Sequence, residues 1–240
     1  MDGTGSVEPE VMIRLSGVGK TYDDGTVAVQ ALDLEIGRGE LVDATVQHLG
    51  ITVAAVVAGL VIAFPLALLA RRVPWLESTI LGISTGIYTI PSLALFPLLV
   101  PFTGLTPTTV VIGLALYALT VLVRSMLEGL RSVPDEVRES ATGLGYGKGR
   151  LLFGIEVPLA LPVILAGLRV ATVSTVALVT VGSLVAYGGL GNLIKDGVST
   201  NFRAELLTAA VLCVVLAVLL DLILVVAQRF LTPWTRGVTT

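Results

Sequence analysis

Of the 240 residues, 54% are hydrophobic and only 14% are charged, with a net charge of −3. An ordinary soluble domain carries about 25% charged residues, so this chain has too few to coat a water-facing surface, and its solvent is predicted to be lipid. Cys213 is the only cysteine, which excludes an intrachain disulfide, and no Cys/His spacing suits a metal.

The charges divide the chain in two. Met1–Thr45 holds nine carboxylates against Arg14, Lys20 and Arg38, whereas the remainder is slightly basic. An acidic polar head therefore precedes an apolar body, and neither has the dense basic cluster of a nucleic-acid binder. Within the head, Gly19-Lys20-Thr21 matches the tail of the phosphate-binding loop G-x-x-x-x-G-K-[ST]. The first glycine of that pattern is replaced by Arg14, and Tyr22-Asp23-Asp24-Gly25 reads as a turn. Phosphate is held at the opening of a helix, so no nucleotide site is expected. The first apolar run begins near Val46, too late for a cleavable signal peptide, and the first span is expected to take over that role.

No charge falls between Asp43 and Arg71, and Val46–Ala70 exceeds the roughly 20 apolar residues that cross a hydrocarbon core. The charge-free stretch Ser78–Val123 holds two further spans, with a tight turn near Val100–Pro107 and a predicted kink at Pro91. A polar segment, Arg131–Glu156, comes next. The fourth span is predicted from about Leu159 to Ala186 and the fifth from about Ala204 to Phe230, with Gly188–Phe202 between them as a loop. Gly82, Ser84, Gly86 and the Gly167/Ala171 pair are expected to let helices pack closely. Five spans put Arg71, Arg72, Arg131, Arg138, Lys148, Arg150, Arg229 and Arg236 on one side, and Arg38, Lys195 and Arg203 on the other. That excess predicts a cytoplasmic 131–156 loop and C-terminus, with the head outside.

The polar segment reads Glu139-Ser140-Ala141-Thr142-Gly143-Leu144-Gly145, and ten residues on come Ile155, Val157 and Pro158. This resembles the EAA loop of binding-protein-dependent ABC importer permeases: Glu-Ala-Ala, three residues, Gly, nine residues, Ile-x-Leu-Pro. Ser140 stands for the first alanine and Val157 for the leucine. Ile90-Pro91-Ser92-Leu93-Ala94-Leu95-Phe96, Glu156-Val157-Pro158-Leu159-Ala160-Leu161-Pro162, Ala166-Gly167-Leu168-Arg169 and Gly188-Gly189-Leu190-Gly191 are similar to permeases for glycine betaine, carnitine and choline. The resemblance covers roughly Ala44–Phe230.

It implies an all-α membrane protein, a five-helix transmembrane bundle of the type I ABC importer permease fold, in the cell (inner or plasma) membrane. The domains would be a head at 1–43, a permease domain at 44–232 with the EAA-like loop at 131–158, and a tail at 233–240. The implied partners are an ABC ATPase subunit docked through Glu139, Ala141, Gly145, Ile155 and Pro158, an extracytoplasmic substrate-binding protein, a second permease copy or sister permease, and membrane lipid. No catalytic residue, cofactor or metal is implied in this chain, since ATP is used by the partner ATPase. A permease for another small solute, such as an amino acid, is the alternative.

Charged residues within spans are costly and usually functional. Pro91, Arg169 and Asp221 are candidates for the translocation path, with snorkelling as the other reading of Arg169. Arg124 is expected to snorkel, with Glu128 one turn away as a partner, and His48 is expected at the interface. The head itself resembles the opening strands of an ABC ATPase in Val11–Leu15, Gly19–Tyr22, Asp24–Val29, Leu32–Ile36 and Gly39–Val42, with Tyr22 where that family stacks an aromatic on adenine. A membrane-anchored ATPase is the enzyme reading, and it lacks the phosphate loop and the magnesium-binding acid. A non-functional ATPase–permease fusion product is the third.

Overall fold

The computed structural model describes residues 11–21 and 27–234. The chain opens with an antiparallel hairpin, β1 (Val11–Thr21) and β2 (Val27–Gly37), paired Val11 to Gly37, Leu15 to Leu34 and Thr21 to Val27. The turn expected at Tyr22–Gly25 lies outside the described residues. β2 passes directly into α1 (Arg38–Arg72), which therefore starts inside the segment assigned to the head. Glu40 in its first turn and Arg71 and Arg72 in its last oppose the helix dipole at each end. At 35 residues it is roughly 50 Å long, more than the roughly 30 Å hydrocarbon core requires.

The predicted kink at Pro91 is a full break. α2 (Pro74–Thr89) and α3 (Ser92–Thr103) meet at 102°, with Ile90 extended (φ −67, ψ 125) between them. A residue before proline is driven out of the α region by the pyrrolidine ring, and Pro91 has no N–H to continue the ladder. α4 (Pro107–Arg131) is the buried centre of the bundle. Leu114, Leu122, Val123, Met126 and Leu130 line its core face, and none is more than 2% exposed.

Beyond it come the short α5 (Asp135–Gly143) and α6 (Lys148–Leu151). A π-helical turn, Leu152–Glu156, then joins α6 to α7 (Val157–Val179), and a 3₁₀ extension, Thr180–Val185, closes that rod. The loop expected at Gly188–Phe202 contains a helix, α8 (Leu190–Ser199), whose Leu190, Leu193 and Gly197 are buried at helical spacing. α9 (Arg203–Leu231) completes the fold.

Alanines on α1 (Ala63, Ala67, Ala70) pack against Leu122 and Met126 of α4 and Ile164 of α7, so the backbones approach closely. At Gly167 of α7 a Cβ would coincide with the side chain of Ser125 on α4, and at Gly129 it would stand 3.0 Å from the Ala160 carbonyl. The close packing expected at Gly167 and Ala171 is present. Gly82 and Gly86 instead face open space, because α2 meets α4 through Ser84, whose carbonyl accepts from Thr120 at 2.7 Å.

Among the described residues, four helices are long and apolar enough to cross a membrane: α1, α4, the rod ending at Val185, and α9. The bent α2–α3 pair together is apolar enough to count as a fifth, and its two ends lie at opposite ends of the bundle. Glu77 near the start of α2 binds Arg131 at the end of α4 through two oxygens (2.7 and 2.5 Å), while α3 stops three residues short of the start of α4. The hairpin thus stands at the opposite end of the bundle from α5.

Candidate functional site

Pro134 enters α5 extended, and Asp135 and Glu136 in the first turn favour its start. Only Ala141 is buried; Glu139, Ser140, Thr142 and Gly143 face outward. Gly145 at φ +84 reverses the chain, so that its N–H reaches the Thr142 carbonyl (2.9 Å) and the Tyr146 N–H reaches that of Ala141 (3.1 Å). This puts Leu144 at the apex, 80% exposed. Val137, Ala141, Leu144, Tyr146 and Ile155 line a shallow hollow beside the helix. Of the residues that the resemblance singled out, Ala141 and Ile155 share this hollow, Gly145 makes the turn beside it, and Glu139 faces outward. Pro158 is separate from that hollow, half-buried in the first turn of α7.

One residue that the sequence reading did not select holds this loop to the bundle. Glu156 is 4% exposed and accepts two bonds from Arg71 of α1 (2.9 and 2.5 Å) and one from Arg138 Nε of α5 (2.9 Å). Arg138 also donates to Asp135 (2.5 Å) and to the Leu130 carbonyl at the end of α4 (2.6 Å). Two guanidiniums and two carboxylates thus balance at the junction of α1, α4, α5 and α7. Glu156 closes the π turn, whose widened ring precedes Pro158, a residue unable to donate back into the ladder. A carboxylate set between Ile155 and Val157, at the edge of an apolar span, was the available signal.

Within the spans, Arg169 and Asp221 prove to be partners. The guanidinium binds the carboxylate through two parallel bonds, 2.8 and 2.9 Å, joining α7 to α9, and each side chain is about one-third exposed (33% and 32%). Arg124 and Glu128 are both exposed on α4 and form no ion pair with each other. His48 is not interfacial. Because α1 begins ten residues before it, His48 lies inside the bundle, fully buried, with Nε2 2.9 Å from the Val176 carbonyl and 4.0 Å from Cys213 Sγ. Pro91 is exposed at the α2–α3 break. Among the described residues, no three His, Cys, Asp or Glu side chains gather as a metal site would require.

The comparison with known proteins agrees with this architecture. Residues 49–237 match the family described as "Binding-protein-dependent transport system inner membrane component". The chain is 34% identical over 200 residues to the choline transport system permease protein OpuBB of Bacillus subtilis, covering 83% of this chain and 92% of that one. It is 36% identical over 200 residues to the osmoprotectant import permease protein OsmW of Salmonella typhimurium, covering 81% and 93%. A chain of the inward-facing MetNI methionine ABC transporter superposes with a TM-score of 0.72 over 81% of this chain and 97% of its own, at 22% identity, a likeness of fold alone. The all-α, type I importer permease fold is that of this bundle. With most of its length matched by the family and by relatives spanned almost end to end, the chain belongs to the inner membrane components of binding-protein-dependent transport systems, a transport permease and not an enzyme.

Proposed function

We propose that this permease moves a quaternary-ammonium osmoprotectant, such as glycine betaine, choline or carnitine, by alternating access driven by ATP hydrolysis on a partner subunit. The braced loop carries the reading: α5 presents Glu139 and Leu144 outward while Glu156 ties it to α1 and α7. A partner ATPase gripping such a helix displaces the bundle with it. Glu139 and the Gly145 turn form the docking face in this reading. Ala141, Ile155 and Pro158 seat it. The solute class follows the relatives, whose names specify choline, carnitine and osmoprotectants, whereas likeness to the methionine transporter extends only to fold.

The α5 end is assigned to the cytoplasm, since Arg71, Arg72, Arg131, Arg138, Lys148 and Arg150 all belong to it and cations resist export across the bilayer. The C-terminus then lies in the cytoplasm, and the hairpin lies outside, where an extracytoplasmic binding protein delivers solute. The hairpin is read as a remnant of ATPase strands without a nucleotide site. A second copy or a sister permease completes the path. Pro91 opens one wall of that path at the helix break. The exposed edge of the Arg169–Asp221 pair is assigned to water in the path rather than to lipid, where charge is costly.

The test is reconstitution with the ATPase and binding protein that co-purify from the same membranes. ATP-dependent uptake of labelled glycine betaine, choline or carnitine, without uptake of neutral amino acids, is the expected result. Accumulation of amino acids alone would overturn the solute assignment.

A further inference from the structure

We propose that the α2–α3 break is a station for the quaternary-ammonium head within the translocation path, formed by the Tyr88 ring and the carbonyl end of α2. The proposal rests on the osmoprotectant reading above and supplies it with a site in this chain.

A trimethylammonium group has no N–H to donate, so a protein holds it with aromatic faces and with negative charge, full or partial. Both converge at this break. Tyr88 is 51% exposed and meets Tyr117 edge to face, with ring centroids 5.7 Å apart at 81°. The Tyr117 hydroxyl donates to the Ile90 carbonyl, which fixes the second ring against the break. α2 ends there, and a helix C-terminus carries about half a negative charge on its free carbonyls. In its last turn the Gly86 carbonyl accepts from the Thr89 hydroxyl (2.7 Å) and that of Ile87 from the Ile90 N–H (3.1 Å). The Tyr88 and Thr89 carbonyls have no donor among the described residues. Tyr117 stands near the midpoint of α4 (Pro107–Arg131), so the break lies at mid-bundle depth, where interrupted helices typically form ion and solute sites.

The exposed surface around Tyr88 is suited to water. Ser78, Thr79, Gly82, Thr85, Gly86 and Thr89 make up most of the open side of α2, which Trp75 and Ile83 interrupt. The open side of α9, by contrast, is aliphatic, with Leu207, Val211, Val214, Val218 and Leu222 each more than half exposed. Lipid matches the second face; a wet path matches the first. No formally charged residue occurs from Ser78 to Val123, so the station attracts a cation without a fixed carboxylate that would trap it.

Two experiments on the full chain test this. With its ATPase and binding protein present, Tyr88→Leu should lower maximal choline uptake roughly twofold to thirtyfold, the span of a single cation–π contact. The half-saturating choline concentration should not change, because the binding protein sets it, and Tyr88→Phe should keep about half the rate or more. Separately, in a Cys213→Ala background, Thr89→Cys should react faster with a trimethylammonium methanethiosulfonate than with its sulfonate counterpart. Adding Tyr88→Leu should abolish that preference.

Wild-type uptake of quaternary ammoniums reads the functional assignment on its own. If uptake is absent while the charge preference at Thr89→Cys persists, the assignment falls and the cation site stands. Unchanged uptake in Tyr88→Leu, or a cysteine at position 89 that is unreactive or indifferent to reagent charge, overturns the station.

Discussion

A single carboxylate ties the α5 loop to the bundle. Glu156 is nearly inaccessible and already engages both Arg71 and Arg138; its loss leaves two guanidiniums facing each other over an empty acceptor. Breaking a fully buried pair removes about 3–5 kcal/mol, but both arginines keep some contact with solvent (24% and 20%). Glu156→Gln should therefore destabilise the bundle by about 1–3 kcal/mol, read as a lower thermal midpoint in detergent. A midpoint equal to wild type would mean that the brace contributes nothing. Gly145 acts differently. Its φ of +84 is reached readily by glycine and, among other residues, most readily by asparagine and aspartate, and nothing lies within 4 Å of where a Cβ would stand. Gly145→Asp should leave the loop folded but put a charge beside Leu144 on the proposed docking face. ATP-driven uptake should be lost at an unchanged membrane level, and unaltered uptake would remove the loop from the coupling scheme. The loop was legible because its residues are close in sequence. The Arg169–Asp221 bond was not, since its partners stand 52 positions apart and nothing in either local pattern names the other.

Spans were legible because lipid demands about 20 uncharged residues in a row, a constraint strong enough to survive without any knowledge of packing. Breaks and short helices are subtler. At Pro91 the sequence specified a disturbance but not its angle, which depends on how α3 packs Leu95 and Phe96 inward. α8 was obscured by Gly, Asn, Asp and Ser, residues that favour turns, while Leu190 and Leu193 nonetheless supply a buried helical face. Small residues gave a similar partial answer, since their spacing marks candidate contacts without naming which ones are used. The contact between α4 and α7 at Gly167 is one that is used, because Ser125 occupies the volume a Cβ needs and its hydroxyl is held on the Val121 carbonyl at 2.8 Å. Gly167→Ala should lower stability by about 1–3 kcal/mol through overpacking, with partial rescue by Ser125→Gly. Gly82→Ala, on the open side of α2, should leave the thermal midpoint unchanged or raise it, since alanine is the better helix former. Equal effects at the two glycines would show that the α4–α7 contact is not the close one described.

At the scale of the molecule, the proposed orientation rests on the crossing count and the positive charges together. Three crossings, α1, the α2–α3 pair and α4, put the hairpin and the α5 loop at opposite ends, and the proposed orientation assigns the α5 end to the cytoplasm from its basic residues. The acidity of the head does not oppose its export, because Asp and Glu count little in that rule. The reading of its sequence as ATPase strands would pull the other way, since such strands belong in the cytoplasm. The two pulls have separable consequences. If the hairpin is a passenger, removing Met1–Gly37 should preserve insertion and uptake. The deletion has to stop there, because Leu41 packs with Leu190, Leu193, Phe202 and Ala209 and seats the start of α1 against α8 and α9. Loss of insertion in the shortened chain would show that the head directs topology. The orientation itself is read by labelling in the Cys213→Ala background. A cysteine at Ser6 should react with an impermeant maleimide on intact cells, while one at Thr239 should react only after the membrane is opened. The reverse pattern would invert the bundle and move the docking loop outside, away from any source of ATP. Labelling at both positions would mean an even number of crossings and would overturn the five-span reading.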